Sequence, residues 1–209
     1  MTDTKPYNLN TTTVDSIQGE LALLDGDELK RYKRFISPIK KEEFLKARTF
    51  LKHILAKELG LKPKQISFSY TKNGKPFLSN IYGKKNYHFN ISHSNGYLVV
   101  VTSQQPIGID LEPISKLDED KLKWFLSEQE INEIKSIQNE DARKIALFQL
   151  FTMKEAFIKA TDKSYLLDNF SFWYVNGKWQ LQIGEDNNWE FDLKTIGNEV
   201  AIAICYAGK

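Results

Sequence analysis

Residues 66–75 read ISFSYTKNGK and residues 170–178 read FSFWYVNGK, two alternating runs of bulky β-forming side chains that each close on Asn-Gly-Lys. Such a closure is a hairpin-turn signal. Gly74 and Gly177 stand 103 positions apart. The apolar run YLVVVTS (97–103) returns as VAIAICY (200–206), and Tyr97 to Val200 is again 103. Upstream, LLDGDELKRYKRF (23–35) resembles FLSEQEINEIKSI (125–137), with Leu24 and Leu126 102 positions apart. Each of these precedes a longer helical stretch, at 41–59 and 141–160. A repeat of this period confines the chain to two similar halves. The predicted fold is α+β, each half a short helix, a long helix packed on an antiparallel sheet, and a β-meander. The expected boundaries are 1–104 and 105–209, meeting in SQQP (103–106). A pseudo-two-fold relation between the halves would leave a cleft, the default place for a ligand. The competing account is chance likeness, since α+β units often share composition.

The remaining sequence features narrow the class. A chain of 209 residues with 41% hydrophobic and 27% charged side chains can bury a core without a structural metal or disulfide. Its one cysteine, Cys205, excludes an intrachain disulfide and suits a reducing compartment. It lies in an apolar run and is expected to be core. No apolar run is long enough to cross a membrane as a helix, and MTDTKPYNLNTTT lacks the core of a secretory signal. A cytoplasmic location is therefore expected, with no membrane partner. Net charge is +2, which excludes a protein coated in basic charge for nucleic acid but allows a local basic pocket.

Three clusters could carry chemistry. In IGIDLE (107–112), strand alternation puts Gly108, Asp110 and Glu112 on one face and Ile107, Ile109 and Leu111 on the other. Two acids pointing the same way repel and ask for a cation, Mg²⁺ being one that carboxylates and phosphate oxygens hold together. Gly108 beside them is expected to leave room for a bulky group. A solvated polar face explains the same pattern. In FTMKEAFIK (151–159), Thr152, Glu155 and Lys159 form a polar stripe on an otherwise apolar helix. An ordinary i,i+4 ion pair of Glu155 with Lys159 is the plain account, and a buried stripe that must bind something is the other. In HFNISHS (88–94), Ser92 and His93 could take a phosphate or simply cap a turn; no G-x-S-x-G elbow surrounds Ser92. Arg48 on the first long helix and Lys75 in NGKP are placed where a cleft could use them.

Together, NGKP (73–76), FNISHS (89–94), IGIDLE (107–112) and FTMKEAFIK (151–159) resemble the 4′-phosphopantetheinyl transferase superfamily. The resemblance is to its larger, pseudo-dimeric type, which acts on the carrier proteins of peptide and polyketide synthetases. The motifs G-[IV]-D and [FW]-x-x-K-E-[AS]-x-x-K are both complete, with Phe151 where Trp is common. The resemblance implies transfer of 4′-phosphopantetheine from coenzyme A to a serine of an apo acyl or peptidyl carrier protein, releasing adenosine 3′,5′-bisphosphate. It implies Mg²⁺ held by Asp110, Glu112 and Glu155, with Glu155 and Lys159 as the catalytic pair. Lys159, helped by Lys154, would meet the pyrophosphate, while Arg48, Lys75, Ser92 and His93 would grip the adenosine 3′-phosphate. Arg31 is a further candidate, and Glu28 stands where a lysine is sometimes found. The acidic helix of a carrier would meet a partly basic, partly apolar rim, with Ser115–Trp124 and DKSYLLDNF (162–170) as candidates. One chain supplying both halves implies a monomer. The rival readings are a Mg²⁺-dependent phosphohydrolase and a non-catalytic coenzyme A-binding module; the latter would be expected to lack Asp110, Glu155 or Lys159.

Overall fold

The computed structural model describes residues 5–79, 86–114, 125–163, 170–175, 178–182, 188–197 and 199–208. The chain divides into two units, Met1–Gln105 and Pro106–Lys209. The first contains β1 (Tyr7–Thr13), α1 (Gly26–Arg34), α2 (Pro38–Leu59), β2 (Phe68–Tyr70), β3 (Pro76–Leu78), β4 (His88–Ser94) and β5 (Tyr97–Ser103). The second contains β6 (Ile107–Pro113), α3 (Glu128–Ser136), α4 (Glu140–Thr161), β7 (Ser171–Val175), β8 (Lys178–Gln182), β9 (Trp189–Ile196) and β10 (Val200–Ala207). The class is α+β, as the sequence indicates.

Both units follow the same element order. Their three-stranded sheets run β1-β5-β4 and β6-β10-β9, with every pairing antiparallel. The expected meander is corrected here. The first strand of each unit pairs with the last, while β2–β3 and β7–β8 form separate two-stranded sheets. The cause lies in β5 and β10, which are buried along nearly their whole length. A strand buried on both faces belongs at the centre of its sheet and needs a partner on each edge. Strand β1 answers that need for β5.

Local chemistry sets the helix ends. Asp25 caps α1 in a capping box with Glu28, and Ser127 caps α3 in the same way with Glu130. Ser37 caps α2, with Pro38 in its first turn, and Asn139 caps α4. Both long helices stop on a left-handed residue, Gly60 (φ 70°) and Asp162 (φ 53°). The β2–β3 hairpin turns through Asn73-Gly74-Lys75, with Gly74 at φ 85°; the corresponding Asn176 and Gly177 lie outside the described residues. The core of the first unit includes Leu51, Leu55, Phe68, Phe89 and Val100, and that of the second Leu150, Met153, Phe157, Phe172 and Cys205. Cys205 is buried in that second core, as its apolar setting implies. Among the described residues no helix is long and apolar enough to cross a membrane.

Candidate active site

In the second unit, α4 lies against the face of β6 that carries Gly108, Asp110 and Glu112. A Cβ on Gly108 would sit 2.1 Å from the Ala156 carbonyl oxygen and 2.4 Å from the Ala160 backbone nitrogen. The space beside the acids, expected to admit a ligand, is therefore filled by the backbone of α4. Small neighbours permit this approach: Ala156 and Ala160 on the helix, and Ala203 and Cys205 on β10. The close approach brings helix side chains to the acidic strand.

Lys159 reaches across from α4 and its ammonium donates to Oδ1 of buried Asp110. The alternative of a purely intrahelical Glu155–Lys159 pair therefore does not describe this lysine. Burial, and after it the Asp110 charge, push the Glu112 carboxyl up to about 7; Glu155 adds to the rise and Lys159 opposes it. The Glu155 carboxyl is raised as well, by burial first and Asp110 second, against the lowering effect of Lys159. Three carboxyl groups thus influence one another around one ammonium. Thr152 does not join them: its buried hydroxyl donates to the carbonyls of Phe148 and Gln149 within the helix. Phe151 stacks edge-on against Phe125, with centroids 5.1 Å apart, a packing role that a larger aromatic would also fill.

Among the described residues, no three His, Cys, Asp or Glu side chains are gathered closely enough to ligate one metal ion. The donor set nevertheless fits Mg²⁺. That ion takes oxygen ligands and is commonly held by only one or two carboxylates together with water and substrate phosphate. Burial first and the Asp110 charge second raise the carboxyls of Glu112 and Glu155, and a cation would offset both effects.

Lys154 is expected to help at a pyrophosphate. It is buried, and its ammonium lies 2.5 Å from Oε2 of buried Glu130. Glu130 also accepts from the backbone nitrogens of Ser127 and Phe172, so one carboxylate ties together α3, α4 and β7. The first unit repeats the device. Glu28 completes the cap of α1 through the Asp25 nitrogen and lies 2.6 Å from the Lys52 ammonium of α2. Glu28 and Glu130 are 102 positions apart, as are Lys52 and Lys154. Glu28 is thus buried structure. The capping-box spacing D-x-x-E and S-x-x-E, read at the repeat offset, is the signal that could have found both acids.

The basic cluster of the first unit is built around Arg48. Its Nε lies 3.4 Å from Glu28, its Nη2 donates to the Tyr70 hydroxyl at 3.3 Å, and its guanidinium lies over the rings of Phe44, Phe68 and Tyr70. The buried Nη1 has no hydrogen-bond partner among the described residues. Arg31 also lies over the Phe44 ring, 5.5 Å from its centroid. Tyr70 pairs with Pro76, so the hairpin places Lys75 at the same end as the Arg48 contact. Burial lowers the His88 pKa, and the Lys75 charge lowers it further. Ser92 and His93 are neighbours on β4 and point to opposite faces, Ser92 buried and His93 exposed. The strand therefore does not bring their side chains to one point.

A family model described as the 4′-phosphopantetheinyl transferase superfamily matches residues 106–205, and one described as the N-terminal part of 4′-phosphopantetheinyl transferase matches 11–105. The 4′-phosphopantetheinyl transferase Sfp of Bacillus subtilis strain 168 is 32% identical over 162 residues, covering 71% of this chain and 70% of Sfp. The chain belongs to the 4′-phosphopantetheinyl transferase superfamily. HetI of Nostoc sp. strain PCC 7120, also a 4′-phosphopantetheinyl transferase, is 38% identical over 149 residues, covering 69% of this chain and 62% of HetI. The match spans about three fifths of the length of the first curated relatives. A holo-(acyl-carrier-protein) synthase from Bacillus anthracis, solved in complex with CoA (3′,5′-ADP), aligns over 50% of this chain and 96% of its own, at 20% identity and a TM-score of 0.41. Within the transferase superfamily, the boundary between the two matched models falls at residues 105 and 106, where the units also divide.

Proposed function

We propose that this protein transfers the 4′-phosphopantetheine group from coenzyme A to a serine of an apo acyl or peptidyl carrier protein, with adenosine 3′,5′-bisphosphate as the second product. The observation that carries this reading is the coupled set Asp110, Glu112 and Glu155 around Lys159, formed where the two superfamily motifs meet across β6 and α4. Asp110, Glu112 and Glu155 offer the carboxylates for Mg²⁺, one or two of which would hold the ion together with water and the pyrophosphate oxygens. When bound, the ion would neutralise charge on the pyrophosphate of coenzyme A.

The chain's own groups have defined tasks in this scheme. Glu155, whose carboxyl is raised by burial first and the Asp110 charge second, takes the proton from the carrier serine hydroxyl. The serine oxygen bonds to the phosphorus bearing the pantetheine arm, and the bond from that phosphorus to the oxygen of adenosine 5′-phosphate breaks. Lys159 offsets negative charge that grows on the pyrophosphate oxygens. Arg48 has a buried N–H to offer the adenosine 3′-phosphate, and Lys75 stands at the same hairpin end. Ser92 and His93, on opposite faces of β4, serve separate parts of the nucleotide end. Lys154 acts as a positioning residue through Glu130. The reaction belongs to a cytoplasmic, monomeric enzyme.

Intact-mass spectrometry of apo carrier proteins incubated with coenzyme A and this protein tests the reading. A phosphopantetheine-sized gain that disappears with EDTA and in Glu155→Ala is expected. Normal turnover in Glu155→Ala would overturn the assignment of the base. Release of phosphopantetheine without any carrier would instead identify a hydrolase.

A further inference from the structure

The junction of α1 and α2 carries an unusual surface. Residues 31–41 read RYKRFISPIKK, with five basic side chains and no acid, in a chain whose overall balance is 29 basic to 27 acidic. At its centre Ile36 is 98% exposed and Ile39 71%, the two largest exposures among the bulky apolar side chains described. Arg31, Lys33, Arg34, Pro38 and Lys40 are exposed around them. Single exposed aliphatic residues need no explanation, but apolar side chains clustered inside a charged rim mark interaction surfaces.

The cations are also partly held in place. Lys41 lies over the Tyr32 ring at 4.7 Å, and Arg31 over Phe44 at 5.5 Å. The backbone between the helices is fixed by two caps: the Phe35 nitrogen donates to the Tyr32 carbonyl, and Ser37 accepts from the Lys40 nitrogen. Ile36 and Ile39 are therefore presented on a defined corner between two helices. Neither is needed by the core of this unit.

We propose that this corner docks the acidic face of the carrier-protein substrate, with Ile36 and Ile39 entering an apolar strip and Lys33, Arg34 and Lys40 meeting its carboxylates. The proposal rests on the transferase reading and adds the surface that selects the partner. Charge complementarity chooses this occupant. A partner with a negative face is steered toward the five basic side chains, and the two isoleucines supply the short-range apolar contact that charge alone lacks. Of the segments from which a rim is expected, 115–124 and 162–170, residues 115–124 and 164–169 lie outside the described residues.

The test uses the whole chain and two variants, Lys33→Glu/Arg34→Glu/Lys40→Glu and Ile36→Ser/Ile39→Ser, none of whose residues is placed in the coenzyme or metal site. Fluorescence anisotropy with labelled apo acyl carrier protein reads binding without chemistry, and the mass assay reads transfer. The expected result is a loss of at least about tenfold in carrier affinity for the charge-reversal variant, with a smaller loss for the serine variant. The wild-type affinity should fall steeply between 50 and 300 mM salt, on the order of tenfold, and the charge-reversal variant's should not. The KM for coenzyme A should stay within about twofold in both variants, which a general loss of structure would not allow. Unchanged carrier affinity in both variants overturns the proposal. So does the absence of wild-type binding, or a loss seen only on anionic phosphatidylserine vesicles, which would make the corner a lipid-binding surface. Wild-type binding without any mass gain would instead fail the transferase reading and leave the docking result standing.

Discussion

Glu112 binds its proton more tightly in the folded chain than in the unfolded one, because burial and the Asp110 charge hold its carboxyl at about 7 against an ordinary 4.5. The raised value favours the folded state fully below about pH 4.5, and that contribution is lost as the pH climbs through about 7. The same group therefore opposes stability under the conditions in which it would serve a cation. Glu112→Gln should raise the melting midpoint at pH 8 in EDTA and leave it unchanged near pH 4. Solvent screening of this half-exposed group limits the gain to about 1 kcal/mol, or roughly 2–4 °C for a chain of this length. Parallel midpoint curves for wild type and variant across this range would refute the linkage. Mg²⁺ should raise the wild-type midpoint at pH 8 more than the variant's. Asp110 depends on Lys159 in a related way. Lys159→Met should cost about 2 kcal/mol in urea unfolding, because a buried carboxylate is left short of counter-charge. Adding Asp110→Asn should recover most of that stability while transfer remains absent, and failure to recover would mean that Lys159 stabilises by packing alone.

At the scale of elements, the fit of α4 against β6 decides where every acid stands. The two motifs were legible as motifs, and alternation correctly put Gly108, Asp110 and Glu112 on one face. What alternation cannot say is what covers that face, and the room expected beside Gly108 is taken by the backbone of α4. The small residues Ala156 and Ala160, spaced four apart on an apolar helix, were the available signal of a backbone-to-backbone approach. Gly108→Ala forces a methyl group to within 2.1 Å of a helix carbonyl, and neither backbone can yield without moving the sheet or the helix. The expected cost is about 3 kcal/mol or more, at the upper end of overpacking effects. Residual transfer should be lost disproportionately, because Lys159 shifts away from Asp110 with the helix. A variant as stable as wild type in urea would show that α4 does not sit this close. Strand β1 was missed for a different reason. YNLNTTT offers only Tyr7 and Leu9 toward an apolar face before its threonine run, and its strand pairs along its whole length with the edge of β5.

Over the whole chain, the offset of 102–103 residues was the most informative feature of the sequence, since it carried both element order and the paired helix lengths. It did not reveal that the interior of each unit contains a buried ion pair at the same offset. Glu28–Lys52 and Glu130–Lys154 resemble ordinary surface charges in sequence, because burial depends on strands and helices remote along the chain. Each acid is also the closing residue of a helix cap, so each pair fastens the short helix of its own unit to the long one. Removing the lysine leaves a buried carboxylate without its main counter-charge, at a cost of about 3 kcal/mol. The damage should remain local, because each unit has its own sheet and its own core. Hydrogen exchange of Lys52→Met should therefore show lost protection concentrated in residues 5–105, and Lys154→Met in residues 106–208. The two variants should also separate functionally. Lys154→Met loosens the helix that carries Glu155 and Lys159 and should lower kcat, whereas Lys52→Met disturbs the surroundings of Arg48 and should raise the KM for coenzyme A. Equal loss of protection across both units in either variant would mean that the repeat folds as one cooperative body, with its duplicated ion pairs stabilising the whole chain together.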